Sequence, residues 1–176
     1  MGNDIGGPIG GSPAPNLGGG IYYASPRTVH TGGVPVKAST DGTDVTPATT
    51  ETFNAELLLA VASYVTGFAV FNGSAVAGNL TVVLYDAAGN IITKSASTAQ
   101  SGTDAFQRIA FAAAQKLPPG RYYVGVKCSS ASARINCHPI GNFGASKKTG
   151  EAYATTTAIT PPTTFTADVG PLGTLY

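Results

Sequence analysis

Residues 64–71, Tyr64-Val65-Thr66-Gly67-Phe68-Ala69-Val70-Phe71, alternate between two faces until Asn72-Gly73 ends the run. A period of two is the mark of a strand lying on a core. After a short glycine-containing loop, Leu80-Thr81-Val82-Val83-Leu84-Tyr85 predicts the next strand, Asp86 to Asn90 a tight turn, and Ile91 to Lys94 the return. Phe106 and Phe111 stand at opposite parity, so the strand carrying them needs a bulge or two covered faces if both are buried. Pro118-Pro119-Gly120 reads as a turn that launches Arg121 to Cys128, and residues 133–138 read as the second arm of a hairpin with that strand.

The flanks are less regular. The stretch from Thr50 carries Leu57-Leu58-Leu59-Ala60-Val61, read as strand because the Thr and Val residues around it favour extended backbone. Ahead of it, residues 21–23 and 34–37 are short β-prone pieces divided by Pro26 and Gly32-Gly33, which suits a sheet margin. Asp41 to Pro47 reads as a loop. Beyond Gly141, short strands are expected at residues 152–154 and 163–166. Seven or eight short strands with frequent turns predict an all-β chain, an antiparallel two-sheet β-sandwich or jelly roll spanning residues 21–176 as a single domain.

Residues 1–20 are different. They hold eight glycines, three prolines and one charged residue, and only Met1, Ile5, Ile9 and Leu17 offer sizeable apolar side chains. Glycine loses the most backbone freedom on ordering, so this stretch needs an outside surface to hold it. It reads as an extended N-terminal arm, with Ile5, Ile9 and Leu17 as its anchors on a partner subunit; the alternative is an arm folded back on its own domain.

Composition narrows the function. Charged residues make up 11% of the chain and net charge is +1, so the electrostatic footprint of a nucleic-acid binder is missing. No basic start followed by an apolar centre marks a secretory signal. The most apolar stretch, residues 54–70, is interrupted by Glu56, Ser63, Tyr64, Thr66 and Gly67, which predicts no membrane span. Without export, the sequons at Asn72 and Asn79 carry no glycan. Cys128 and Cys137 have a spacing that allows a disulfide across a hairpin, while assembly in a reducing cytosol favours free thiols.

The stretches "VTGFAVFNGSAVAGNLTVVLYDAAGN" and "AFQRIAFAAAQKLPPGRYYVGV" resemble β-sandwich modules of tailed-bacteriophage virion proteins: capsid decoration (cement) proteins, head fibres and tail fibres. Similar turns and strand entries occur in carbohydrate-binding and adhesin sandwiches. The resemblance implies a non-enzymatic virion component, assembled in the host cytoplasm. The arm would attach it to the major capsid protein or another virion protein, and it would be a homo-oligomer, possibly a trimer. As a decoration protein it stabilises the shell. The alternative is a fibre or spike module that grips a host-surface glycan.

No cofactor, metal or catalytic constellation is read from the residues. Residues 141–150 superficially follow a phosphate-binding loop, but Lys147 stands where glycine should precede the Lys-Thr pair and no helical pattern follows. They read instead as a solvated loop. His30 and His138 lack metal-ligand spacing, and the adjacent Cys137 and His138 would point to opposite faces. No Gly-x-Ser-x-Gly elbow exists. Glu51, Glu56, Asp86, Asp104 and Glu151 could be drawn into acid pairs, although Asp86 and Asp104 sit where carboxylates cap turn amides. Asp41 to Asp44 has too few oxygen ligands for calcium. Tyr22, Tyr23, Tyr122, Tyr123, Phe143 and Tyr153 remain as aromatic contacts for a sugar or a subunit, with one ring of each tyrosine pair expected inward and the other outward.

Overall fold

The computed structural model describes residues 29–33 and 42–176. The expected anchors Ile5, Ile9 and Leu17, the pair Tyr22 and Tyr23, and the β-prone pieces at 21–23 and 34–37 lie outside the described residues.

Thirteen strands follow in chain order: β1 (Val29–His30), β2 (Thr43–Val45), β3 (Thr52–Leu59), β4 (Ser63–Phe71), β5 (Asn79–Tyr85), β6 (Ile91–Lys94), β7 (Thr98–Ala99), β8 (Phe106–Leu117), β9 (Gly120–Cys128), β10 (Ile135–His138), β11 (Ala145–Lys148), β12 (Gly170–Pro171) and β13 (Gly173–Leu175). One 3-10 turn, Thr31–Gly33, follows β1. The chain is all-β, and its strands pair antiparallel in three sheets. They run in the orders β1-β13-β4-β8, β12-β10-β2 and β11-β3-β9-β5-β6, with β7 paired to β5.

The alternation read along the chain places the core. Phe53, Ala55, Leu57 and Leu59 of β3, Leu80, Val82 and Leu84 of β5, and Val124 and Val126 of β9 line one face of the six-stranded sheet. They join Val65, Phe68 and Val70 of β4, Ile109 and Phe111 of β8 and Leu175 of β13, from the four-stranded sheet, in a single buried cluster. Burial of this apolar surface, at about 25 cal/mol per Å², is the main force on the fold.

The two large sheets also meet at an edge. Between Val65 and Gly67 the register of β4 against β8 shifts, so β8 carries extra residues there. At that bulge Phe111 forms a bridge with Ser95, next to the end of β6. The two phenylalanines are not both buried, so their parity needs no bulge: Phe111 is buried, while Phe106 on the other face is 43% exposed and packs its ring against Phe71 with centroids 4.9 Å apart.

Several local expectations are corrected. Residues 43–45 form β2 rather than a loop. Residues 135–138 do not make a hairpin with β9; β10 pairs with β2 and β12, while β9 lies between β3 and β5. Residues 145–148 form β11 against β3 instead of a solvated loop. Residues 152–154 and 163–166 form no strand, and Phe165 makes only an isolated bridge to Ala145.

Candidate functional site

The second face of the six-stranded sheet should meet water in a simple alternating sheet. Here it is buried as well: Thr52, Asn54, Glu56, Thr81, Val83, Tyr85, Tyr123 and Lys127 are all nine-tenths or more inaccessible. The covering layer comes from the segment after β11, whose Ile159 packs with Val83, Tyr85 and Tyr123 as a separate apolar cluster. That segment forms no strand and is held by side chains together with two backbone bonds, from the Glu151 amide to the Thr50 carbonyl and from the Ile159 amide to the Gly89 carbonyl.

Glu151 is its principal fastener. Lys127 Nζ donates to Glu151 Oε2 at 3.0 Å and to the carbonyl of Ala152 at 2.9 Å, and also bonds the carbonyl of Thr155. Thr52 donates to the same carboxylate oxygen, while Lys148 (3.1 Å) and Thr157 (2.6 Å) reach Oε1. Burial alone would raise the Glu151 pKa, but these bonds, from Thr157, Lys127 and Lys148, outweigh it and bring the value down to about 2. Lys127, with its side chain wholly inaccessible, is therefore a structural cation. Space for this layer depends on Gly125, where an added Cβ would lie 2.8 Å from Asn54 Oδ1 and 2.9 Å from the Tyr85 ring.

Beside the covering segment lies an open cleft of about 710 Å³, lined by Glu56, Arg121, Asn142, Phe165 and residues 161–164. Glu56 holds both walls: its Oε1 pairs with Arg121 Nε at 3.2 Å and its Oε2 accepts the Gly144 amide at 2.9 Å. The Arg121 side chain remains 57% exposed, so its guanidinium also faces the opening.

A third feature is the way the N-terminal segment is tied in. Among the described residues, β1 pairs only with β13, through Val29 opposite Leu175 and His30 opposite Thr174, and so forms the margin of the four-stranded sheet. Thr31 Oγ1 accepts the Gly173 amide at 3.3 Å and lies 3.0 Å from His138 Nε2. Burial lowers the His138 pKa to about 4. The ring is thus neutral at pH 7, and its Nε2 and the Thr31 hydroxyl share one hydrogen bond. His138 stacks edge-on against Phe143 at 4.8 Å, and Gly32, at φ +65°, passes so close that an added Cβ would sit 2.3 Å from the Phe143 ring.

The aromatic candidates need correcting on this geometry. Tyr122 faces the core and donates its hydroxyl to the Pro118 carbonyl at 2.9 Å. Tyr123, expected to face solvent when its neighbour faces in, is 1% exposed because the covering segment lies over it. Phe143 is packed between His138 and Phe165. Tyr153 is half-buried, with its hydroxyl 2.9 Å from both Thr81 Oγ1 and Ser97 Oγ. Tyr123 and Phe143 both line the cleft beside Arg121, while Tyr122 lies in the core and Tyr153 elsewhere, so the four do not form one aromatic platform.

The polar candidates are also internally engaged. Lys147 pairs with Glu51 at 2.7 Å and Lys148 with Glu151, so the lysines first read as solubilising are fasteners of β11. Asp86 accepts the Ala88 and Asn90 amides at 2.9 Å, as its turn requires, and Asp44 pairs with Arg134 at 3.1 Å. Cys128 and Cys137 are free and buried, and burial pushes the Cys128 thiol up to about 12. Among the described residues, no three His, Cys, Asp or Glu side chains come together as a metal set, and no helix is long and apolar enough to cross a membrane.

Sequence reasoning missed the Lys127–Glu151 bond and the Glu56–Arg121 cleft. The one available signal was parity: Tyr123, Gly125 and Lys127 share a face with a ring, a glycine and a cation, which fits a covered surface as well as a wet one. The class defined by this arrangement is an all-β protein of antiparallel sheets with a polar-fastened covering layer. Comparison with family models, curated proteins and solved structures finds no match.

Proposed function

We propose that this chain is a non-enzymatic structural protein of a bacteriophage virion, most specifically a capsid decoration protein. Its body is a β-sandwich of the two larger sheets, and residues 1–20 attach it to the major capsid protein or a neighbouring subunit. The observation that carries this reading is the entry of the N-terminal segment at the margin strand β1, which Thr31 rivets to β10 and β13. A pull on residues 1–28 is delivered to the sheet through β1, Thr31 and His138 rather than to a free loop. A body whose ion pairs link its own strands supplies a stiff block, and the glycine-rich segment supplies reach. The resemblance of residues 65–126 to phage virion modules supports the same assignment.

Labelled protein located on purified particles tests the reading. Gold label distributed over the head supports a decoration protein, and label absent from particles overturns it.

A second reading, a fibre or spike module that holds a host-surface glycan, is favoured by the cleft beside Arg121. It has the concave form and convergent polar groups that a small ligand needs. Binding to a glycan array that disappears in Arg121→Ala would support it, and an array blank for the intact protein would remove it.

A further inference from the structure

At one end of the molecule the turn between β3 and β4 lies next to the turn between β8 and β9, because Leu59 is opposite Gly120 and Ser63 is opposite Leu117. This end carries several exposed apolar side chains beside the exposed Lys116, opposite Tyr64, and Arg121, opposite Leu58. Val61 at the turn is 60% exposed, Leu58 before it 58% and Tyr64 after it 43%, and Pro118 and Pro119 beside them are exposed. The other exposed large apolar side chains among the described residues are Val76, Ile91, Phe106 and Ile140. Single exposed apolar residues are ordinary, whereas a group at one end calls for a partner.

The strand register shows which part of the chain approaches that end. β1 runs antiparallel to β13, and β13 runs antiparallel to β4, so β1 is parallel to β4 with Val29 level with Phe68 and His30 level with Ala69. The N-terminal end of β1 therefore points towards the level of Ser63 and the β3–β4 turn. The distance from the level of Phe68 to that of Ser63 is about 17 Å at the usual rise per residue. The twelve Cα-to-Cα steps from Leu17 to Val29 can extend up to about 40 Å, which is ample to bring Leu17 to the turn.

We infer that the apolar end formed by Val61, Tyr64, Pro118 and Pro119 is a docking site for residues 1–20 of the same chain, occupied when the protein is free of its particle. The inference rests on the attachment reading of residues 1–20. Ile5, Ile9 and Leu17 are the apolar side chains of that segment, and a tethered segment meets its own domain at an effective concentration near millimolar, ahead of any second copy in dilute solution. Docking there covers the anchors until the particle surface displaces them.

Cysteine pairing tests this directly. In a Val61→Cys background, Ile5, Ile9 and Leu17 are each replaced by cysteine and the protein is oxidised at pH 8 and low concentration. The native thiols do not compete, since both are buried and their pKa values are raised. The expected result is a monomeric intrachain disulfide at one or more arm positions, at least tenfold faster than with Ala131→Cys at the opposite end in place of Val61→Cys. Repeating the series with Tyr64→Cys guards against a poorly folded turn variant. Equal rates at both ends, or disulfide-linked dimers alone, overturn the inference; the dimers would identify a second copy as the occupant. Particle attachment is read separately, so failure of the docking leaves the attachment reading intact.

Discussion

The buried ammonium of Lys127 lies 3.0 Å from the carboxylate of Glu151, joining β9 to a segment that forms no strand of its own. Two carbonyls of that segment, from Ala152 and Thr155, complete the ammonium's bonds, and Thr52, Lys148 and Thr157 complete those of the carboxylate. With both partners satisfied the pair costs little; with one removed, a charge is left in a dry place.

Lys127→Met is therefore expected to destabilise the fold by about 3–5 kcal/mol, the usual cost of breaking a buried pair from one side. Adding Glu151→Leu to it should recover part of that loss, because the second change removes a buried carboxylate left with Lys148 as its one cation. Urea midpoints of the wild type, the single variant and the double variant measure this. A double variant markedly less stable than Lys127→Met would contradict it.

Stability should fall on acidification in two overlapping windows. For His138 the folded pKa, about 4, lies below the ordinary 6.5, so the unfolded chain binds the proton first. Its contribution is complete above pH 6.5 and lost as pH falls towards 4. For Glu151 the folded value, about 2, also lies below its ordinary 4.5, and the contribution is lost between those values. Thermal midpoints measured from pH 7 to pH 2.5 should decline throughout, and His138→Asn should flatten the portion above pH 4.

Gly125→Ala should cost about 1–3 kcal/mol, the range for overpacking a filled interior. The new methyl would meet Asn54, Thr52 and the Tyr85 ring within 2.9 Å. A chemical-denaturation midpoint unchanged from wild type would show that the covering layer is looser than described.

Cys128 and Cys137 should resist a thiol reagent at pH 8 in the native protein and react together once denaturant is added. Burial, with a pKa raised to about 12 for Cys128, leaves almost no thiolate to attack. Titration with a chromogenic disulfide reports both numbers, and prompt native labelling would contradict this burial.

The strands that follow the alternation rule were legible because side-chain period and burial coincide there, as in β4 and β5. The parity of Phe106 and Phe111 required a bulge only if both were buried; Phe106 is exposed, and the bulge of β8, beyond Ala110, had no such signal. The covered second face was not legible: residues 149–162 have no period of two, and their main hold on the sheet is Glu151, whose partner Lys127 lies 24 residues earlier. Lys147 and Glu51, 96 residues apart, likewise paired through a strand that local composition disguised as a loop. For β10 the nearest upstream strand was the natural partner on sequence grounds. The observed partners, β2 and β12, are too short to announce themselves.

Deletion of residues 1–20 tests the central claim most directly, because the deletion stops nine residues before the first described strand, β1. Occupancy on purified particles, measured by co-sedimentation, should fall at least tenfold while the thermal midpoint stays within a few degrees of wild type. A truncated protein that remains folded and occupies particles as fully as the intact chain would contradict the account.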